Sequence, residues 1–259
     1  MTATVAYRVT PVRVLRSEWA KLWSVRSTGI ALGATALLTV AIGAVVGANY
    51  SSGNGDGDGT TGPVQFTLLG IQFSQLIVAV LGVMVAAGEY STGTIRATLT
   101  AVPRRLPVLW AKAAVFGAVA FATLLATAFA TFAISQSFLN GTDQEATLTD
   151  PGIARALVGA AAGIALIGVI SLALGAALRG VPAGIGAYIG GVLLLPEVVG
   201  ALPFGEDAVA YFPSRTLEAL MATGSEAGLL APGTAFLALC TWVAVALGAA
   251  GLLLRRRDV

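Results

Sequence analysis

Six long stretches of this chain, residues 27–55, 59–88, 113–142, 156–178, 180–196 and 227–254, contain no charged residue. Most reach the roughly 20 apolar residues that a bilayer-crossing helix needs. Across the chain 56% of residues are hydrophobic and 11% are charged, where a soluble domain carries roughly a quarter charged. A soluble helical protein would also need polar helix faces that these windows lack. The chain therefore reads as an all-α integral membrane protein, a single transmembrane domain over 1–259 with six transmembrane helices.

The spans are expected at about residues 29–48, 66–88, 107–137, 153–178, 183–195 and 233–254. Ahead of them, residues 10–28 start with Thr10 as N-cap and Pro11 at the first helical position. Val12, Leu15, Trp19, Leu22 and Trp23 fall on one face, with Arg13, Arg16 and Lys21 off it. Such a basic, tryptophan-bearing helix suits the plane of the membrane interface; a plainer reading makes it the polar start of the first span. It is too long and charged for the leader of a cleaved signal peptide. Residues 51–62 are glycine-rich and small, a linker; Asp56 and Asp58 lack the distal Glu that a calcium loop would add. Residues 140–152 form an acidic loop. Pro196 is expected to end or kink the fifth span. The external segment 197–231 mixes apolar residues with five acids, which fits one or two short, partly embedded helices.

Charge placement predicts the orientation. With six spans, Arg8, Arg13, Arg16, Lys21, Arg26, Arg96, Arg104, Arg105, Lys112, Arg179, Arg255, Arg256 and Arg257 share one side, and only Arg155 and Arg215 lie opposite. The acids show the reverse bias, with Glu18, Glu89 and Asp258 on the basic side. Basic residues stay cytoplasmic during insertion, so both termini are expected inside, in a multi-pass protein of the plasma membrane. Trp110 and Lys112 are expected to anchor the third span at that interface.

Little conventional chemistry is on offer. There is no GxxxxGK[ST] run to hold ATP, so no enzyme activity, no catalytic residue and no cofactor is expected in this chain. It has no His and a single cysteine, Cys240, so zinc-type metal sites and His-based catalysis are not expected. The net charge of +2 implies no nucleic-acid partner. Glu89 and Glu197 sit at span ends, where water is near, rather than forming a proton relay through the midplane. Gly29 and Gly33, Gly43 and Gly47, Gly159 and Gly163, and Gly186 and Gly190 have GxxxG spacing, which permits close helix approach but arises readily by chance among 32 glycines.

The stretch 88–112 interrupts two spans with a dense basic group. Gly88 and residues 90–93 can break the second span. Residues 94–100 then have the length of two helical turns, with Ile95 and Leu99 on one face and Arg96 exposed. Pro103 pushes its predecessor out of helical space, and Arg104 and Arg105 follow. The plain alternative is a basic loop that only fixes topology.

These residues resemble the membrane-spanning permease of type-2 ABC exporters. The shared pattern is Glu89 at the end of the second span, Gly93-Thr94, a short helix through Ile95 and Leu99, Pro103-Arg104, and Lys112 early in the third span. Residues 17–28 and the six-span topology match as well. The resemblance implies a coupling helix at about 92–100. Its ATPase-coupling residues would be Glu89, Thr92, Gly93, Thr94, Ile95, Arg96, Leu99, Pro103 and Arg104. It implies as partners a cytosolic ATP-binding subunit that holds ATP and Mg, a second permease subunit (a homodimer or sister heterodimer) and the lipid bilayer. The cargo would be an amphipathic drug, peptide or lipid. Rival readings are an ion-coupled secondary transporter and a non-transporting membrane scaffold or immunity protein.

Overall fold

A computed structural model describes residues 10–51, 63–101, 105–142, 145–202, 205–224 and 228–256. Every regular element among them is helical. In chain order these are α1 (Pro11–Ser24), α2 (Arg26–Ser51), α3 (Pro63–Ser91), α4 (Thr94–Ala101), α5 (Arg105–Leu139), α6 (Ile153–Leu178) and α7 (Val181–Tyr188). A π-helical turn (Ile189–Leu194) leads into α8 (Leu195–Gly200), followed by α9 (Glu206–Val209), α10 (Pro213–Met221) and α11 (Pro232–Arg256). Six segments are long and apolar enough to cross a membrane: Arg26–Asn49, Gly70–Ser91, Arg105–Leu139, Ile153–Leu178, Val181–Gly200 and Pro232–Arg256. The chain is a multi-pass membrane protein by this measure. Asp56, Asp58, Pro103, Arg104 and Arg257 lie outside the described residues.

The bundle is built around α6. The most apolar 18-residue stretch of α6 is 78% buried, against 22% in the first span, 22% in the fifth and 28% in the sixth. Small residues let its neighbours come close. A Cβ on Gly175 would stand 2.7 Å from the carbonyl oxygen of Val83 in α3, and one on Gly82 would meet the backbone oxygen of Gly168. Of the four GxxxG pairs, two serve packing inside the chain. Gly43 and Gly47 face Thr131 and Ser135 of α5, and Gly159 and Gly163 face Leu220 and Leu217 of α10. A Cβ on Gly29, Gly33, Gly186 or Gly190 would meet no neighbouring element within 4 Å. Thr39 and Ser74 hydrogen-bond between α2 and α3, hydroxyl to hydroxyl, in the interior.

Side-chain bonds fix which helix ends lie together. The Arg105 Nη1 donates to the Leu254 carbonyl at 3.0 Å, and the Arg179 guanidinium stacks over the Tyr90 ring at 5.4 Å. The start of α5 and the ends of α3, α6 and α11 therefore form one end of the bundle. At the other, Arg155 donates to the carbonyls of Ala222 and Thr223.

Two expectations are corrected. Gly88 does not break the second span: α3 runs on to Ser91, and the chain turns at Thr92–Gly93, where Gly93 has a φ of +74°. Pro196 does not end the fifth: helix continues to Gly200. Proline lacks an N–H, and a π-helical turn, with bonds one residue longer, stands just before it. Most of the apolar stripe of α1 faces outward. Val12, Leu15, Trp19 and Trp23 are exposed, and Val14, Glu18 and Leu22 are buried; the hydrophobic side is left to face whatever surrounds the bundle.

Gly175→Ala is expected to destabilise the bundle by roughly 1–3 kcal/mol, the usual cost of overpacking, because the methyl meets backbone rather than a flexible side chain. Gly29→Ala should be near neutral. Denaturant titration of the two variants in detergent micelles, followed by circular dichroism, checks the contrast.

Candidate functional site

Four charged side chains meet at the basic end of the bundle. Positions four apart on a helix share a face, so Val14, Glu18 and Leu22 line one side of α1. Val14 packs with Val108 and Ala111 of α5, and Leu22 enters the main core. Glu18 lies between these two apolar anchors and is carried inward, its side chain 3% exposed. One turn of α5 beyond Val108 stands Lys112, 8% exposed. Its Nζ lies 2.6 Å from Glu18 Oε2 and 2.8 Å from Glu89 Oε1, from the last turns of α3. Lys21, a third exposed, completes the group with its Nζ 2.7 Å from Glu18 Oε1 and 3.1 Å from Glu89 Oε1.

The cluster holds two carboxylates and two ammonium groups, so its formal charges cancel. Burial pushes the pKa of Lys21 down, but the Glu18 and Glu89 carboxylates outweigh it, and the group stands above the ordinary lysine value. Lys21 is thus firmly charged at neutral pH. Isolated charges this deep would each cost several kcal/mol; each here has an opposite charge in contact.

The cluster also reaches α4. Lys21 Nζ donates to Thr98 Oγ1 at 3.0 Å. The short helix is joined to α3 by a turn in which Thr92 donates both its N–H and its hydroxyl to the Gly88 carbonyl. The hydroxyls of Thr92 and Thr94 lie 3.0 Å apart, and Ile95 is buried. α4 is thus bonded at one end through the turn and at its middle through Lys21.

Of the candidate residues, the structure brings Glu89 into the ion-pair cluster. It places Thr92, Gly93 and Thr94 in the turn and Ile95 against the bundle. The side chains of Arg96 and Leu99, like Pro103 and Arg104, lie outside the described residues. Two further expectations are corrected. Lys112 does not reach out as an interfacial anchor, because both nearby carboxylates hold it inside. Glu89 does not look to water at a span end: its side chain is 12% exposed and paired with two lysines. Sequence reasoning passed over Glu18 and Lys21. The signal was present: Glu18 is one of only three acids on the basic side, and it sits four residues from both Val14 and Leu22.

No family model matches the chain, and no curated protein matches it.

Replacing one partner of a buried pair strands the other, at a cost of about 3–5 kcal/mol. Lys112→Met is expected to lose stability on that scale in a micelle unfolding titration, and the more exposed Lys21→Met less. Adding Glu18→Gln to Lys112→Met should recover part of the loss, since the remaining charges again balance; the double-mutant cycle reads this coupling.

Proposed function

We propose that this chain is the membrane-spanning subunit of an ATP-driven exporter of the type-2 ABC class. The observation that carries the reading is the attachment of α4. A short helix at the basic end of the bundle is bonded to Lys21, and through Lys21 to Glu18, Glu89 and Lys112 on three other helices. A push on α4 would move α1, α3 and α5 together. That is the mechanical requirement for a helix through which a separate ATP-hydrolysing subunit drives a bundle.

In this reading the basic end is cytoplasmic, and α4 is the coupling helix that seats on the ATPase. α1 lies in the interface, its exposed Trp19 and Trp23 among the headgroups. ATP and Mg are held by the ATPase subunit. A second permease subunit packs on the least buried spans, the first and fifth, whose outward residues include Ile30, Leu37, Val45, Leu194 and Val198. The cargo is amphipathic, since the spans offer apolar surface and few charges.

Co-expression with an ATP-binding subunit of the type-2 ABC class tests the reading. Arg96→Glu, or removal of residues 94–100, is expected to abolish co-purification of that subunit while the chain still inserts into the membrane. Association at the wild-type level in both variants would refute the docking role. Transport by the purified chain alone under an ion gradient would favour a secondary transporter instead.

A further inference from the structure

The face of α1 turned away from the bundle carries more than apolar residues. Val12, Leu15, Trp19 and Trp23 are exposed there, with the two indole rings 6.0 Å apart. Arg16 is exposed as well. It stands four residues from Val12, three from Trp19 and seven from Trp23, so it borders the exposed apolar stripe on the same side of the helix. Val25 then takes an extended backbone, with φ −94° and ψ 108°, and the chain bends out of α1 into α2. Arg26, also exposed, is the first residue of α2.

The tryptophans set the depth of these arginines. Trp19 and Trp23 on α1 and Trp110 at the start of α5 are exposed at the same end of the bundle, and tryptophan collects at the level of the lipid headgroups. An arginine at that level lays its apolar stem along the hydrocarbon and keeps its guanidinium in the polar layer, where it can grip a phosphate through two N–H groups.

What the two arginines lack is a counter-charge. The acids described at the basic end are Glu18 and Glu89, both turned inward and matched by Lys21 and Lys112. Neither Arg16 nor Arg26 has an ion-pair partner among the described residues. The outer surface around α1 is therefore positive, with its negative charge drawn inside. A zwitterionic headgroup would bring its own cation toward these guanidinium groups; an anionic headgroup brings none. The exposed tryptophans favour lipid over the acidic face of a cytosolic protein, because at headgroup depth the neighbours are lipids.

We infer that α1 and the bend after it form a binding surface for anionic phospholipid. Arg16 and Arg26 each hold a headgroup phosphate, and Trp19 and Trp23 pack beneath the headgroups against the upper acyl chains. The surface needs the membrane setting of the chain and the exposed face of α1, and stands apart from the exporter reading.

The test is native mass spectrometry of the full chain in neutral detergent, offered equal amounts of phosphatidylglycerol and phosphatidylcholine with identical acyl chains. Phosphatidylglycerol is expected to be retained in preference by roughly fivefold, the scale for one arginine near an anionic surface. Arg16→Gln combined with Arg26→Gln changes two exposed side chains and leaves the ion-pair cluster intact; it should bring the two lipids toward parity. Arg255→Gln combined with Arg256→Gln removes the same charge from the same end of the bundle, on α11, and should leave the preference in place. Equal retention of the two lipids by the wild-type chain would overturn the assignment and leave the arginines to an acidic protein surface. A preference that survives loss of Arg16 and Arg26 would overturn it too. So would an equal loss of preference in both double variants, which would reduce the effect to the net charge of the basic end.

Discussion

Glu18 and Lys112 face each other at 2.6 Å in a space that excludes most water, and the basic end of the bundle is arranged so that neither is left alone. A charge in such a place is tolerable only with an opposite charge in contact. Glu89 and Lys21 complete the balance. The consequence is geometric as well as energetic. α1, α3 and α5 must keep their ends in register, because moving any one of them would strand a charge. Elsewhere the bundle holds together differently, through glycine-to-backbone contacts such as Gly82 on Gly168 and hydroxyl pairs such as Thr39 with Ser74. The packed interior is soft in its chemistry and close in its fit, whereas the basic end is held by a few strong contacts.

That division explains what the sequence made legible. Six spans could be read because each charge-free window is long, and a bilayer selects for that property directly. The basic-side bias could be read for the same reason. What could not be read is which face of a helix turns inward. On α1 the stripe of Val12, Leu15, Trp19, Leu22 and Trp23 was legible, but not that Leu22 alone among them is buried and that the buried face contains Glu18. In water the apolar face of a helix points to the core; beside a membrane that inference loses its force, because lipid is as good a partner as protein. The same difficulty hid Lys112, which resembled an anchor at a span end. Its true setting depends on Glu18, 94 positions earlier in the chain, and no local pattern encodes that pairing. The turn at Gly93 was legible, since glycine before a short helix has a physical meaning. The π-helical turn ahead of Pro196 was not, because proline signals that the helix must change and leaves open how.

The ion-pair cluster also gives the short helix α4 its standing. A basic loop that merely fixed topology would need positive charge and nothing more. Here Thr98 is bonded to Lys21, and Lys21 is held by two carboxylates from two different helices. Eight residues of helix are marginal on their own; they hold their place because the bundle grips them. A partner acting on α4 would therefore act on the bundle ends, which is the property on which the proposed exporter role rests.

Hydrogen–deuterium exchange at the amides of Thr94–Ala101 examines this dependence most directly. Comparison of the wild-type chain with Lys21→Met in the same micelles removes the side chain that, among the described residues, joins α4 to the ion pairs. The account predicts faster exchange across α4 in the variant, with the interior of α6 unchanged. Equal protection of α4 in the two proteins would contradict it, and would show that the short helix keeps its place without the charged cluster.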